Sequence, residues 1–141
     1  MRKLLVVTAL LLFAGIASGQ TLKKGNIIGL HVIQLNLDPD VTYNQYVSGQ
    51  EVFASIFNKE FQGDIEVYLI KSDRGDEENS LGMIWFIKST DVRAKYFDEE
   101  GAFTELFSTK FEKVNSAYAE KVTTLGTSNW TRIRYNDWII L

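Results

Sequence analysis

Between residues 27 and 37 apolar side chains are so dense that neither face of an extended segment is left polar. Ile27, His31, Ile33, Leu35 and Leu37 fall on one side, and Ile28, Leu30, Val32, Gln34 and Asn36 on the other. A surface strand shows one polar face, so this pattern predicts a central strand covered on both sides, ending at Asp38-Pro39-Asp40. Thr42 can accept an orphan amide of the next turn, and the spacing of Tyr46, Phe53 and Phe57 predicts a helix from there to Phe61. Gly49 weakens that helix by about 1 kcal/mol relative to alanine, which predicts a kink or short break. Residues 64–72 alternate as a second strand with Ile65, Val67 and Leu69 on one face. Residues 80–88 form a third, with Met83, Trp85 and Ile87 set against Ile84 and Phe86. The charged stretch 73–79 between them has nothing to bury and reads as a solvated hairpin loop.

Ser89 or Thr90 caps a short helix to about Phe97, and Asp98-Glu99-Glu100-Gly101 interrupts it. The most regular periodicity follows: Phe103, Phe107, Phe111, Val114, Tyr118, Val122 and Leu125 form one apolar stripe, with Gly126 placed as a left-handed terminator. Residues 130–141 read as the last strand, Ile133, Tyr135, Ile139 and Leu141 opposing Trp138 and Ile140. The order is βαββαβ, an α+β ferredoxin-like arrangement. Right-handed crossovers bring the first and third strands to the centre of a four-stranded antiparallel sheet and set the helices on one face. Leu30, Val32, Ile84, Phe86, Trp138 and Ile140 remain on the other face. A second copy packed sheet against sheet would cover them, so a homodimer of the dimeric α/β-barrel kind is expected.

The first nineteen residues change the picture of where this domain works. Arg2-Lys3, an apolar run through Phe13 and Ala17-Ser18-Gly19 have the build of a secretory signal peptide, with cleavage expected before Gln20. Residues 20–141 then make one domain with no linker or repeat to divide it. Export to the periplasm or medium follows, and with no cysteine after the cut, no lipid or membrane anchor is expected. Removing Arg2 and Lys3 leaves 13 basic against 18 acidic side chains, a net charge of −5. Such a chain lacks the clustered cations that nucleic-acid and lipid-surface binders need, so neither partner is expected. The absence of cysteine excludes disulfides, thiol catalysis and cysteine-based metal sites.

The segment Gly29-Leu30-His31-Val32-Ile33-Gln34-Leu35-Asn36-Leu37, followed by Asp40-Val41-Thr42, resembles the opening strand and helix cap of the dimeric α/β-barrel proteins, most nearly the stress-responsive A/B-barrel group. In that group a histidine near the start of the first strand points into a cavity between sheet and helices, and some members use it as an acid/base. His31 occupies that place. The group often carries Tyr-x-x-His-Pro-x-His in its second helical region, where this chain reads Tyr96-Phe97-Asp98-Glu99-Glu100-Gly101-Ala102: the tyrosine is present and both histidines are missing. The resemblance thus implies a ligand pocket at His31, Ile33, Leu35 and Tyr96, with His31 as its acid/base. Monooxygenases and haem-degrading enzymes share this fold, so the fold alone does not fix a function.

His31 is the chain's one histidine and so its one imidazole that titrates near neutrality. On a mostly apolar strand face, such a residue commonly serves the core, its ring nitrogens bonded to backbone or tyrosine. Asp73, Asp76, Glu77 and Glu78 lack the spacing of a calcium loop and read as solvated hairpin, so no metal is expected. Trp85 resembles the tryptophan that haem-degrading enzymes set against the porphyrin, but no helical histidine is present to ligate iron, and no cofactor is expected. Two readings follow. One is a non-catalytic or small-molecule-binding exported dimer with a small apolar ligand. The other is a cofactor-free cyclase- or monooxygenase-like enzyme using His31 on an apolar carbonyl substrate. An enzyme needs an open cavity at His31 with a second polar group nearby, whereas a structural module tolerates a filled one.

Overall fold

The computed structural model describes residues 22–74, 80–122 and 129–141, with side chains described throughout except at Leu35 and residues 129–134. The elements are β1 (Ile27–Asn36), α1 (Tyr43–Phe61), β2 (Ile65–Lys71), β3 (Leu81–Ile87), α2 (Thr90–Tyr96), α3 (Glu105–Lys121) and β4 (Asn129–Ile139). The four strands form one sheet in the order β2-β3-β1-β4, every neighbouring pair antiparallel. Strand order and element sequence are those of the ferredoxin-like fold, an α+β architecture. The signal segment, the acidic residues Asp76, Glu77 and Glu78, and the terminator Gly126 lie outside the described residues.

Local chemistry sets the helix ends. Thr42 caps α1 in a capping box: its hydroxyl accepts from the Gln45 amide, and the Gln45 side chain accepts from the Thr42 amide. The helix then runs as one continuous segment through Gly49, without the short break that the glycine could have introduced. Gly49 is buried, and the tertiary contact of the helix outweighs the propensity cost. The chain leaves α1 through Gln62 at φ 41° and Gly63 at φ 77°, the left-handed exit that lets it turn at once into β2. Ser89 caps α2, and Thr104 caps α3. Phe103 therefore precedes α3 instead of starting its stripe, and its ring lies 4.2 Å from that of Phe107.

Ile27, Ile65, Val67 and Ile87 project from the sheet into the same core as Ala54, Phe57 and Phe61 of α1, Val92 and Tyr96 of α2, and Phe107 and Val114 of α3. This sets the helices on one face. Phe57 is fully buried, stacked on Phe61 at 4.1 Å and edge-on to Trp85 at 5.1 Å. The opposite face carries Ile28, Leu30 and Val32 beside Phe86, Ile84 and Trp138. Val32 and Phe86 are buried there, while Trp138 is 61% exposed and Tyr68 44%.

Two polar side chains finish the sheet. Asn58 on α1 donates to the Val67 carbonyl at 2.9 Å and accepts from the Val67 amide at 2.6 Å, so it satisfies the outer edge of β2. Asn26, buried before β1, donates to the Lys88 carbonyl at 2.7 Å, and its own carbonyl accepts from the Ile140 amide at 2.9 Å. It thereby joins the ends of three strands.

Candidate functional site

The helices lie over β2 and β3 and leave β4 uncovered on their own side, where Tyr135 and Ile139 are about half exposed. Between the two layers this geometry leaves a cleft of about 790 Å³, open on the β4 side. That volume falls within the range of small-molecule pockets. Its floor is His31 and Ile33 of β1 with Met83, Trp85 and Ile87 of β3; its roof is Phe53 of α1 with Phe107 and Phe111 of α3. Phe97, Gly101 and Phe103 line one end, Tyr46 and Gln50 come from the first half of α1 and Leu81 from the start of β3, and Tyr135 and Asp137 form the open side. The aromatic rings meet edge-on or offset, as with Phe53 against Phe111 at 6.1 Å and 73°.

His31 lies on the helix-facing side of the sheet with Ile33, as the alternation of β1 requires. Its ring stands 4.2 Å from that of Tyr135, its cross-strand partner, and 5.5 Å from Trp85, its diagonal neighbour. Gly29 is what makes room here. A Cβ built on Gly29 would meet Asp137 Oδ1 at 2.7 Å, Trp85 Cβ at 3.3 Å and His31 Nε2 at 3.4 Å. A carboxylate and an imidazole thus share the space above a residue without a side chain. The indole N–H of Trp85 is buried and has no hydrogen-bond partner among the described residues. An unsatisfied buried donor is costly, and a ligand acceptor would relieve it.

The expected pocket residues separate. His31 and Ile33 line the cleft; the Leu35 side chain is outside the described residues. Tyr96 belongs to a different place. It is 3% exposed in the core, and its hydroxyl donates to Asp64 Oδ2 at 3.0 Å. Burial first, and then the hydrogen bond to Asp64 and its charge, push the Tyr96 hydroxyl up to about 12. The reason for its displacement is the short α2, which turns Val92 and Tyr96 inward toward Phe61 and presents Arg93 and the following Phe97 to the cleft instead. Asp137 was not singled out in the sequence, although a signal existed. Tyr135 and Ile139 alternate on one face of β4 with Asp137 between them, an acid in the middle of an otherwise apolar face.

No group of three or more His, Cys, Asp or Glu side chains is placed to hold a metal ion among the described residues, and none of the helices they form is long and apolar enough to cross a membrane. No known protein family matches this sequence, and no curated protein is similar to it. Two solved structures are similar in fold. A dimeric ferredoxin-like protein of unknown function from Bacteroides fragilis is 11% identical, with 83% of this chain and 98% of that chain covered at a TM-score of 0.42. A variant of SnoaB, a cofactor-independent oxygenase from Streptomyces nogalater, is 14% identical, with 78% of this chain and 92% of that chain covered at a TM-score of 0.39. Likenesses at this level carry no activity across to this chain.

Proposed function

We propose that this chain is an exported homodimeric domain that binds a small apolar molecule in the cleft between its sheet and its helices. The observation that carries the reading is the aromatic cleft of about 790 Å³ itself. Phe53, Phe107 and Phe111 give its roof carbon surface, and Trp85 contributes a buried N–H with no protein acceptor among the described residues. A cleft open to water leaves its apolar lining hydrated, and a bound apolar molecule would remove that surface from water. Export is supported by the basic, apolar and small-residue order of residues 2–19. Dimerisation is supported by the apolar outer sheet face, on which Tyr68 and Trp138 stand exposed beside Leu30 and Ile84. A thermal-shift screen of apolar and aromatic compounds on the mature protein tests the central claim. Saturating ligand at about a hundred times its Kd should add about 2.7 kcal/mol of stability. A screen in which no compound raises the melting temperature, with native mass spectrometry finding no co-purified molecule, would refute it.

A second reading has its own support. His31 Nε2 and Asp137 Oδ1 converge on the space above Gly29, at the open side of the cleft. A histidine beside a carboxylate is an arrangement suited to moving a proton at a bound carbonyl compound, without a cofactor. His31→Gln separates the two readings. Under the binding reading, ligand affinity is lost or altered with no chemistry to lose; under the enzyme reading, a turnover measurable in the wild type disappears while the ligand still binds.

A further inference from the structure

The cleft is mostly apolar along its floor and roof but carries two charged side chains, Asp137 on the β4 side and Arg93 on α2. Arg93 on α2 lines it among Phe97, Phe103 and Phe107. Its guanidinium carbon stands 5.6 Å from the centroid of the Phe97 ring, and Nη2 comes within 3.9 Å of a Cβ built on Gly101. Neighbouring cations are paired: Lys95 with Asp64 at 4.0 Å, and Lys110 and Lys113 with Glu60 at 3.6 and 3.8 Å. Arg93 has no carboxylate within ion-pair distance among the described residues. A guanidinium against an aromatic ring is weakly hydrated, retains its N–H donors, and matches a carboxylate in planar geometry. The cleft's own carboxylate, Asp137, lies over Gly29 beside His31 and is not paired with Arg93.

We infer that the ligand of this cleft is an amphipathic monocarboxylate, its apolar body lying between Trp85 and the phenylalanine roof and its carboxylate held by Arg93. The inference rests on the binding reading above and adds to it the charge of the ligand and the end at which that charge is held. Asp137 repels an anion from the His31 side of the cleft, so the two charges of the lining together set one orientation. Aliphatic carbon and a ring system both fit such a lining; the shared requirement is one carboxylate on an apolar body.

Calorimetric titration of the mature protein with decanoate and with decanol, near neutral pH and at low salt, isolates the charge from the chain. Decanoate should bind about tenfold more tightly than decanol, the worth of one charge-assisted pair in a partly desolvated site. Arg93→Gln should bring the two ligands to within about twofold of each other by weakening decanoate alone, and Arg93→Lys, which keeps the charge but not the fork, should restore part of the preference. Equal affinities in the wild type, or a carboxylate preference unchanged in Arg93→Gln, would overturn the inference while leaving an apolar ligand site in place. Binding of neither compound by a folded wild type would remove both the site and its charge preference.

Discussion

Gly29 and Gly82 both lack side chains inside the sheet, yet alanine should have different consequences at the two positions, a loss of stability at Gly82 and a loss of binding at Gly29. At Gly82 the added methyl would stand 3.0 Å from the His31 carbonyl oxygen and 3.0 Å from Ile70 Cγ1, on the far face of the sheet. The carbonyl belongs to the β1–β3 ladder and cannot recede without disturbing it. Overpacking of this kind costs about 1 to 3 kcal/mol, and the reduced freedom of the unfolded chain returns about 0.4 to 1, so a net loss of about 1 to 2 kcal/mol is expected. At Gly29 the closest atom, at 2.7 Å, is the carboxylate oxygen of Asp137, the end of an exposed side chain that swings aside. The remaining contacts, at 3.3 and 3.4 Å, are tight without being prohibitive. Gly29→Ala should therefore change stability by less than about 1 kcal/mol, while its methyl takes the space that His31 and Asp137 share and weakens whatever binds there. Urea unfolding followed by circular dichroism gives both numbers, provided the m-value stays constant. A Gly82→Ala protein as stable as the wild type, or a Gly29→Ala protein destabilised by more than about 2 kcal/mol, would refute this account of the two positions.

Asn58→Ala should cost about 1 to 3 kcal/mol in the same assay, because it strips the partner from both the amide and the carbonyl of Val67 on an edge strand. Tyr96 titrates higher in the folded chain than in the unfolded one, so the unfolded state gives up its proton first, and stability present below about pH 10 is lost between about pH 10 and 12. Tyr96→Phe should flatten that decline by up to about 1.4 kcal/mol per pH unit; an unchanged slope in alkaline unfolding curves would show that Tyr96 plays no part in it. Trp138→Lys should shift light scattering from about twice the chain mass to the chain mass, and a wild type already monomeric would remove the proposed interface. Intact-mass measurement of protein from the native host should find Gln20 at the amino terminus; a chain still starting at Met1 would refute the proposed cleavage.

Periodicity made the element order legible because each strand and helix carries its own apolar pattern. Ile27 to Leu37 reads as a central strand on its own evidence, and β3 and β1 do occupy the centre of the sheet. His31 was also legible as facing the helices, since parity with Ile27 and Ile33 fixes its side once Ile27 is in the core. The rest of the site depends on register, which no single segment contains. Asp137 lies opposite Gly29 only because Tyr135 lies opposite His31, and a slip of one residue would send it to the other face. Tyr96 enters the expected pocket through the family resemblance alone, and a seven-residue helix has too few turns for spacing to say which of Arg93, Tyr96 and the following Phe97 points inward; the structure sets Tyr96 in the core and Arg93 and Phe97 at the cleft. Asn58 was invisible, since a polar residue on a helix flank shows no sign in sequence that it satisfies a strand edge.

The placement of β4 ties these features together. Among the described residues it is an edge strand paired with β1 alone, and it carries Tyr135, Asp137 and Ile139 on the cleft side and Trp138 on the other. Helices hold β2 and β3 from above, but on the cleft side of β4 Tyr135 and Ile139 are left about half exposed. A second copy covering Trp138, as proposed above, would therefore also restrain the strand that aims Asp137 over Gly29. An edge strand held by one ladder opens locally more readily than a central one, so Asp137 rides on an edge strand that, unlike β2, has no helix above it. In the proposed dimer, assembly through the outer face and order in the cleft would act on the same eleven-residue strand from opposite sides.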